Sequence, residues 1–174
     1  MRINLILIPF VIILGLIMGA NDTPKNRKWY IILCSAVLLF VAAMRSPEWM
    51  TYTYNIDTLN YKGYFENAIA MDWGEFWHAV VLRYAGFDND ADVGFMGLQK
   101  LIGLVTDDFN IYSLIADLLF FIPFGIILYR YTTSMKQIIF AFVFYISLVQ
   151  IYFFGGARQI FAMGFDLMAL LAII

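Results

Sequence analysis

The sequence predicts an all-α fold: a polytopic membrane helix bundle with an amphipathic or re-entrant helical segment on its outer face. The chain of 174 residues is 63% hydrophobic and 14% charged, whereas about a quarter of the residues in a soluble domain are charged. Its apolar residues form runs close to the roughly 20 residues with which a helix spans a bilayer. Because backbone polar groups must be paired within lipid, we predict that these runs are α-helical.

Charge and metal-binding residues exclude several classes of protein. The formal net charge is −2, so the chain has no basic field to attract nucleic acid. The chain has one histidine and one cysteine, and Cys34 lies inside an apolar run, which rules out an internal disulfide and leaves little for a metal site. We therefore predict no metal, no cofactor and no nucleic-acid partner.

The first and last apolar runs differ from the others in the residues at their ends. The first has the basic start and apolar stretch of a signal peptide, but Met18 stands where a small residue is expected, so we predict a retained helix. The last run stops within "LMALLAII" without a polar flank, so we expect residues 1–174 to be one transmembrane domain from the N-terminal part of a longer polytopic protein. The five predicted spans are 3–20, 29–44, 110–129, 137–154 and 159–174.

Two short basic loops predict the orientation of these spans. Cytoplasmic loops carry an excess of lysine and arginine, so both loops are assigned to the cytoplasm. The N-terminus, the segment 45–108 and the turn at Arg158 then lie outside. The basic residues that fix this arrangement are Lys25, Arg27, Lys28, Arg130 and Lys136.

The segment 45–108 shows helical patterns of its own. Apolar and aromatic residues recur at helical spacing over 59–84, which predicts one amphipathic helix, either lying on the outer leaflet or packed against the protein. The stretch 94–106 has an apolar run too short to cross, and we interpret it as re-entrant or tilted. If it did cross, Arg130 and Lys136 would move outside, against the positive-inside tendency.

Three arginines fall on the predicted outer side near the ends of helices: Arg45, Arg83 and Arg158. A guanidinium matches a pair of phosphate oxygens, so the diphosphate of an outer-leaflet lipid would be a natural ligand. The alternative is an ion pair with the acidic residues of 45–92, and we favour it for Arg83. For Arg45 and Arg158, each of which borders a long apolar span, both remain open. Arg158 follows two glycines and, with Gln159, begins a predicted helix whose N-terminus attracts anions.

Carboxylates and the single histidine are the candidates for acid–base chemistry. Asp57 or Thr58 could cap the outer helix, and Asp57 could equally be a general base beside Arg45. His78 could accept a proton near neutral pH, although a histidine among aromatic residues is commonly just packed. Two further carboxylates, Asp117 and Asp166, lie within apolar runs and are expected to face the bundle interior.

The outer pieces appear in a recognisable order: "AAMRSPEW", "NIDTLNYKGYF", "DVGFMGLQKLIGLVTDDFNIYSLI" and "GGARQIFAMGF". This succession resembles the EpsG family of bacterial exopolysaccharide polymerases, which are relatives of the Wzy-type O-antigen polymerases. The resemblance covers residues 40–166, although Asp92 stands where the family more often has Glu and family members are roughly twice as long. The matching positions are Arg45, Asp57, Thr58, Tyr61, Asp92, Gly94, Phe95, Arg158 and Gln159.

The resemblance implies a glycosyltransferase-type polymerase that joins polyprenyl-diphosphate-linked oligosaccharides at the outer face of the bacterial cytoplasmic membrane, for exopolysaccharide or capsule. Its partners would be the lipid bilayer, the lipid-linked oligosaccharide and other membrane proteins of polysaccharide assembly. By analogy Arg45 and Arg158 would bind diphosphate, Gln159, Tyr61 and Thr58 would bind substrate, and Asp57, Asp92 or His78 would serve the chemistry. A flippase for lipid-linked saccharide and a non-catalytic membrane scaffold are the alternatives.

Overall fold

The structure, a computed structural model, describes residues 4–43, 57–87, 92–149 and 157–173. The described residues are all-helical and contain no strand. The chain divides into two compact units, residues Met1–Met44 with Leu114–Ile174 and residues Arg45–Ser113. The helices are α1 (Asn4–Gly19), α2 (Pro24–Ala43), α3 (Asp57–Ala70), α4 (Trp73–Tyr84), α5 (Val93–Gly103), α6 (Phe109–Tyr131), α7 (Met135–Phe144, continued by a π-helical turn Tyr145–Val149) and α8 (Ala157–Ile173).

Each of the five predicted spans overlaps a described helix, with residues 150–154 of the fourth lying outside the described part. Only one described helix has both the length and the apolar composition of a membrane span. That helix is α6, with 23 residues. The apolar stretches Leu5–Gly19 and Met135–Ser147 are shorter, and α2 carries three basic residues near its start. A helix of 16 residues, such as α1, is about 24 Å long, less than the roughly 30 Å of a bilayer core.

The first unit packs α1, α2 and α7 around the fully buried Tyr30 of α2. The hydroxyl of Tyr30 donates a hydrogen bond to the carbonyl oxygen of Val11 at 2.9 Å, and its ring meets that of Phe142 edge-on at 5.9 Å. Gly15 of α1 faces the same place: a Cβ there would lie 2.4 Å from Ile139 and 3.1 Å from the hydroxyl of Tyr30. A residue without a side chain is therefore what lets these helices approach each other.

A second close approach joins α8 to α6 at a proline. Pro123 lies inside α6 and has no N–H to donate to the carbonyl of Leu119 one turn earlier. Gly164 of α8 packs against that carbonyl, because a Cβ at 164 would lie 2.8 Å from the Leu119 oxygen. The backbone of one helix thus rests on the backbone of the other, at the carbonyl that the proline leaves without its helical donor.

Two loops of the first unit meet at one of its ends. Arg27 donates a hydrogen bond to the carbonyl of Thr132 at 3.1 Å and forms an ion pair with Asp22, with its Nε 3.3 Å from the Asp22 Oδ1. The other carboxylate oxygen of Asp22 accepts the backbone N–H of Met135 at 2.9 Å. The α1–α2 loop and the α6–α7 loop are therefore neighbours, although they lie over a hundred residues apart in sequence.

The second unit contradicts the prediction of one continuous helix over 59–84. The helix is broken after Ala70, and Asp72 begins α4 with a capping box: its Oδ1 accepts the N–H of Glu75 at 2.8 Å, and the carboxylate of Glu75 accepts the N–H of Asp72 at 3.1 Å. These two bonds satisfy backbone donors that would otherwise belong to a continuing helix. The periodic pattern is real, but it belongs to two helices.

The core of the second unit is aromatic. The ring of Phe65 is fully buried and stacks on that of Tyr112 at 4.5 Å, with Phe109 completing the stack. At the far end of the same helix pair, Gly103 allows Ile69 to approach so closely that a Cβ at 103 would lie 2.2 Å from its side chain. These contacts bind α3 to α5 and to the first residues of α6.

Candidate functional site

Two of the motif pieces singled out in the sequence are brought together in the second unit. Tyr61, one turn into α3, is buried and meets the ring of Phe95, in the first turn of α5, at 5.8 Å. Contacts at the other ends of these helices run in the same order, because Ile69 approaches Gly103. The helices α3 and α5 are therefore parallel, with both N-termini at the same end.

Asp92 occupies the N-terminus of the second of these helices. Its Oδ1 accepts the backbone N–H of Phe95 at 3.2 Å, which makes Asp92 the N-cap of α5. The carboxylate is exposed. Capping fixes where the side chain lies, so the acidic residue is held at the helix end rather than left to rotate in solvent.

Asp57 and Thr58 lie at the N-terminus of the other helix. They are the first two residues of α3, and an acidic residue in the first turn is stabilised by the helix dipole. Their side chains fall outside the described part of the structure, and so does the whole of Arg45. What the described backbone establishes is that α3 and α5 begin at the same end of the unit, the end at which Asp57 and Asp92 are placed.

Arg158 and Gln159 belong to the first unit. They are the second and third residues of α8, and both are exposed. Free amides in a first helical turn attract anions, and a guanidinium adjoining them reinforces the effect. Gly155 and Gly156, which precede this turn in sequence, lie outside the described residues.

The remaining titratable candidates differ in their surroundings. His78 is exposed on α4. The alternative that it is simply packed among aromatic residues is therefore not what the described residues show. Asp117 of α6 is buried, with 1% of its surface exposed, as expected for a carboxylate in an apolar helix. Asp166 is exposed on the surface of α8, so its expected position in the bundle interior is wrong.

Sequence reasoning missed Lys100, which is 6% exposed in the second unit. Its ammonium donates to the carbonyl oxygen of Ala68 at 3.3 Å and to that of Met71, and it lies 4.8 Å from the centre of the Trp73 ring. The carbonyls at a helix C-terminus have no helical donor, so Lys100 satisfies the groups that the break between α3 and α4 exposes. Lys100 of α5 therefore contacts the end of α3 and the start of α4.

Gln99, beside Lys100, is a second buried polar residue of α5. Its side-chain amide donates a long hydrogen bond of 3.4 Å to the hydroxyl of Tyr112. The dipeptide Gln-Lys within an otherwise apolar stretch is the signal that could have drawn attention to both residues. Among the residues that the structure describes, no three His, Cys, Asp or Glu side chains are grouped so as to hold a metal ion.

Among the described helices, one has the length and apolar composition of a membrane span, and two apolar stretches are shorter. The chain belongs to the EpsG family, whose model matches residues 31–174. Membership indicates a bacterial membrane protein and points to a Wzy-like polysaccharide polymerase that acts on lipid-linked oligosaccharides. No curated protein and no solved structure matches the chain.

Proposed function

We propose that this protein is a polysaccharide polymerase that joins polyprenyl-diphosphate-linked oligosaccharide units at the outer face of the bacterial cytoplasmic membrane, in exopolysaccharide or capsule synthesis. The family match over residues 31–174 is the observation that carries this proposal. It is supported locally by the parallel packing of α3 and α5, because two of the motif pieces typical of the family then begin at one end of the second unit.

A multi-pass arrangement is part of the proposal. The hydrogen bonds from Arg27 to Thr132 and from Met135 to Asp22 hold the two basic loops at one end of the first unit, and a shared cytoplasmic side accounts for their charge. Helix α2 leads away from that end and α6 returns to it. If both helices cross the membrane, the chain between them makes an even number of crossings and its ends lie outside.

In the proposed reaction the hydroxyl oxygen of an acceptor sugar attacks the anomeric carbon of the donor. A new carbon–oxygen bond forms while the bond from that carbon to the diphosphate oxygen breaks, and the diphosphate leaves on its polyprenyl chain. Arg45 and Arg158 would stabilise the charge that develops on the diphosphate, with Gln159 donating a further hydrogen bond.

The proton of the acceptor hydroxyl needs a base, and we assign it to Asp57. Asp92 would orient a sugar or an arginine from its capped position, and His78 is the alternative base. Tyr61 and Thr58 would contact the saccharide. The proposal includes no cofactor, because a lipid diphosphate donor already carries its leaving group.

The experiment is to express Arg158→Ala and Arg158→Lys in a host without its own polymerase and to measure polymer chain length at equal protein level. We expect Arg158→Ala to abolish long chains and Arg158→Lys to restore them only in part, because an ammonium is charged but cannot form the two parallel bonds of a guanidinium. Arg130→Ala is the matched control: Arg130 is an exposed arginine in the last turn of α6, on the proposed cytoplasmic side.

The fate of the lipid-linked unit distinguishes the alternatives. A polymerase defect leaves single units on the outer leaflet, whereas a flippase defect would leave them on the inner leaflet. Long chains of normal length in Arg158→Ala would contradict the role assigned to Arg158, and inner-leaflet accumulation would contradict the proposed reaction.

A further inference from the structure

Helix α4 has an apolar stripe that its own unit does not cover. On one face Phe76 is buried and packs so close to Gly97 of α5 that a Cβ there would lie 3.2 Å from its ring. A neighbouring face presents Trp77, Val81 and Tyr84, whose exposed fractions are 59%, 63% and 83%. These residues are spaced i, i+4 and i+7, so they form one continuous stripe along the helix.

The charged side chains of α4 and its histidine lie off the stripe. Glu75 and His78 are both exposed, and on a helical wheel they fall away from the stripe. An exposed apolar stripe with a polar face on the same helix is unusual on a surface that meets only water. The helix therefore has one face for the core of its unit, one for water and one for an apolar environment.

A lipid surface is the occupant that the neighbouring residues support. In the same unit, the last turn of α5 and the turn after it expose the further apolar side chains Leu101, Leu104 and Val105. Four residues after Val105 the chain enters Phe109, the first residue of the spanning-length helix α6. Between them Asp107 and Asp108 are exposed, as expected where a chain leaves the headgroup region for the hydrocarbon.

Composition and length also favour lipid. Tryptophan and tyrosine are enriched at the headgroup level, where the ring is buried and the polar atom remains hydrated. Helix α4 has 12 residues, about 18 Å, and is too short to cross a bilayer. A short helix with an aromatic and aliphatic stripe and a charged opposite face is typical of one that lies in the interface plane.

We infer that the stripe of Trp77, Val81 and Tyr84 is a membrane-contacting surface that places α4 in the boundary between headgroups and acyl chains, parallel to the membrane. The second unit is thereby held against the surface of the membrane. This inference does not depend on the proposed reaction, because a scaffold or a transporter could use the same surface.

The test compares two exposed positions three residues apart on the same helix. The full chain carrying Val81→Cys or, as the matched control, His78→Cys is labelled with a nitroxide and reconstituted into vesicles of phosphatidylethanolamine and phosphatidylglycerol. Collisions of the label with oxygen, which concentrates in lipid, and with a nickel chelate, which stays in water, are then measured. The unaltered chain is the labelling blank, because its single cysteine, Cys34, is fully buried.

We expect the ratio of oxygen to nickel collisions to be several-fold higher at position 81 than at position 78. Equal exposure of both labels to nickel would overturn the inference, since the stripe would then face water. A label at 81 shielded from both reagents would overturn it in favour of a protein partner. Exclusion of nickel from both positions would also overturn it, because α4 would then be immersed in hydrocarbon rather than lying at the interface.

Discussion

Substituting Gly164 by alanine tests the packing of α8 on α6 at its closest point. The new Cβ would lie 2.8 Å from the oxygen and 3.0 Å from the carbon of the Leu119 carbonyl, whereas ordinary contact begins at 3.4 Å. Because the obstacle is backbone, no rotamer change relieves it, and the helices must separate by about 0.6 Å at that point. A gap of this size loses about a quarter to a half of each contact that it opens, and overpacking typically costs about 1–3 kcal/mol.

Alanine also favours the helix more than glycine does, which offsets about 1 kcal/mol of this cost. The control must therefore be another glycine-to-alanine substitution inside a helix. Gly125→Ala is one, and its Cβ would meet only the side-chain methyl of Ile31 at 3.2 Å, which can move. The first unit also contains its own reporter, the fully buried Cys34. The rate at which a thiol reagent modifies Cys34 in mild detergent reports how often this unit opens.

We expect Cys34 to be modified roughly 5–30 times faster in Gly164→Ala than in Gly125→Ala, corresponding to about 1–2 kcal/mol. The mechanism is the meeting of two backbones, so any side chain at 164 should have a similar effect and serine should behave like alanine. If Gly164→Ala is modified no faster than Gly125→Ala, the two helices are not in backbone contact and the reasoning fails.

Three further substitutions test other parts of the fold by denaturant titration. Asp22→Asn should lower the free energy of unfolding by about 1 kcal/mol, because the carboxylate both pairs with a guanidinium and accepts a backbone N–H; Lys25→Gln, at an exposed position in the first turn of α2, should change it by less than about 0.5 kcal/mol, and equal effects would show that the loop contact contributes nothing. Lys100→Met should cost about 1–3 kcal/mol by leaving the carbonyls of Ala68 and Met71 without this donor, whereas Lys62→Met, at a half-buried position of α3, should cost less than about 0.5 kcal/mol; the reverse order would refute the contact between α3 and α5. Tyr30→Phe should cost about 1 kcal/mol through one buried hydrogen bond, and unchanged stability would show that this bond is not formed.

The positions of the apolar helices could be predicted from the sequence because each is a local property of the chain. The break at residues 71–72 was missed for an identifiable reason. The apolar positions of α3 and α4 continue at helical spacing across the break, so the period suggested one helix. The pattern Asp72-Trp-Gly-Glu75 is the sequence signature of a capping box. Such a signature marks the start of a helix, so it predicts a new helix at Asp72 even though the apolar periodicity continues.

The candidate site also has features that the sequence predicts locally and features that depend on contacts distant in sequence. The order of the motifs along the chain was enough to identify the family, but the contact of Tyr61 with Phe95 depends on α5 returning parallel to α3, which no local pattern predicts. The burial of Lys100 is another non-local result, since the carbonyls that receive its ammonium lie about thirty residues earlier. Burial of Asp117 followed from the cost of a carboxylate in lipid, whereas Asp166 shows that this rule does not say which face of a helix is covered.

The contact between the two loops of the first unit sets an order of events during synthesis. Its partners are 105 and 113 residues apart, so at about 5–20 residues per second a ribosome needs roughly 5–20 seconds to deliver the second loop after the first. During that interval Asp22 and Arg27 can pair with each other but lack the backbone groups of Thr132 and Met135 that they contact in the folded unit. The α1–α2 pair is therefore made, and can pack, before α7 is available to complete the first unit.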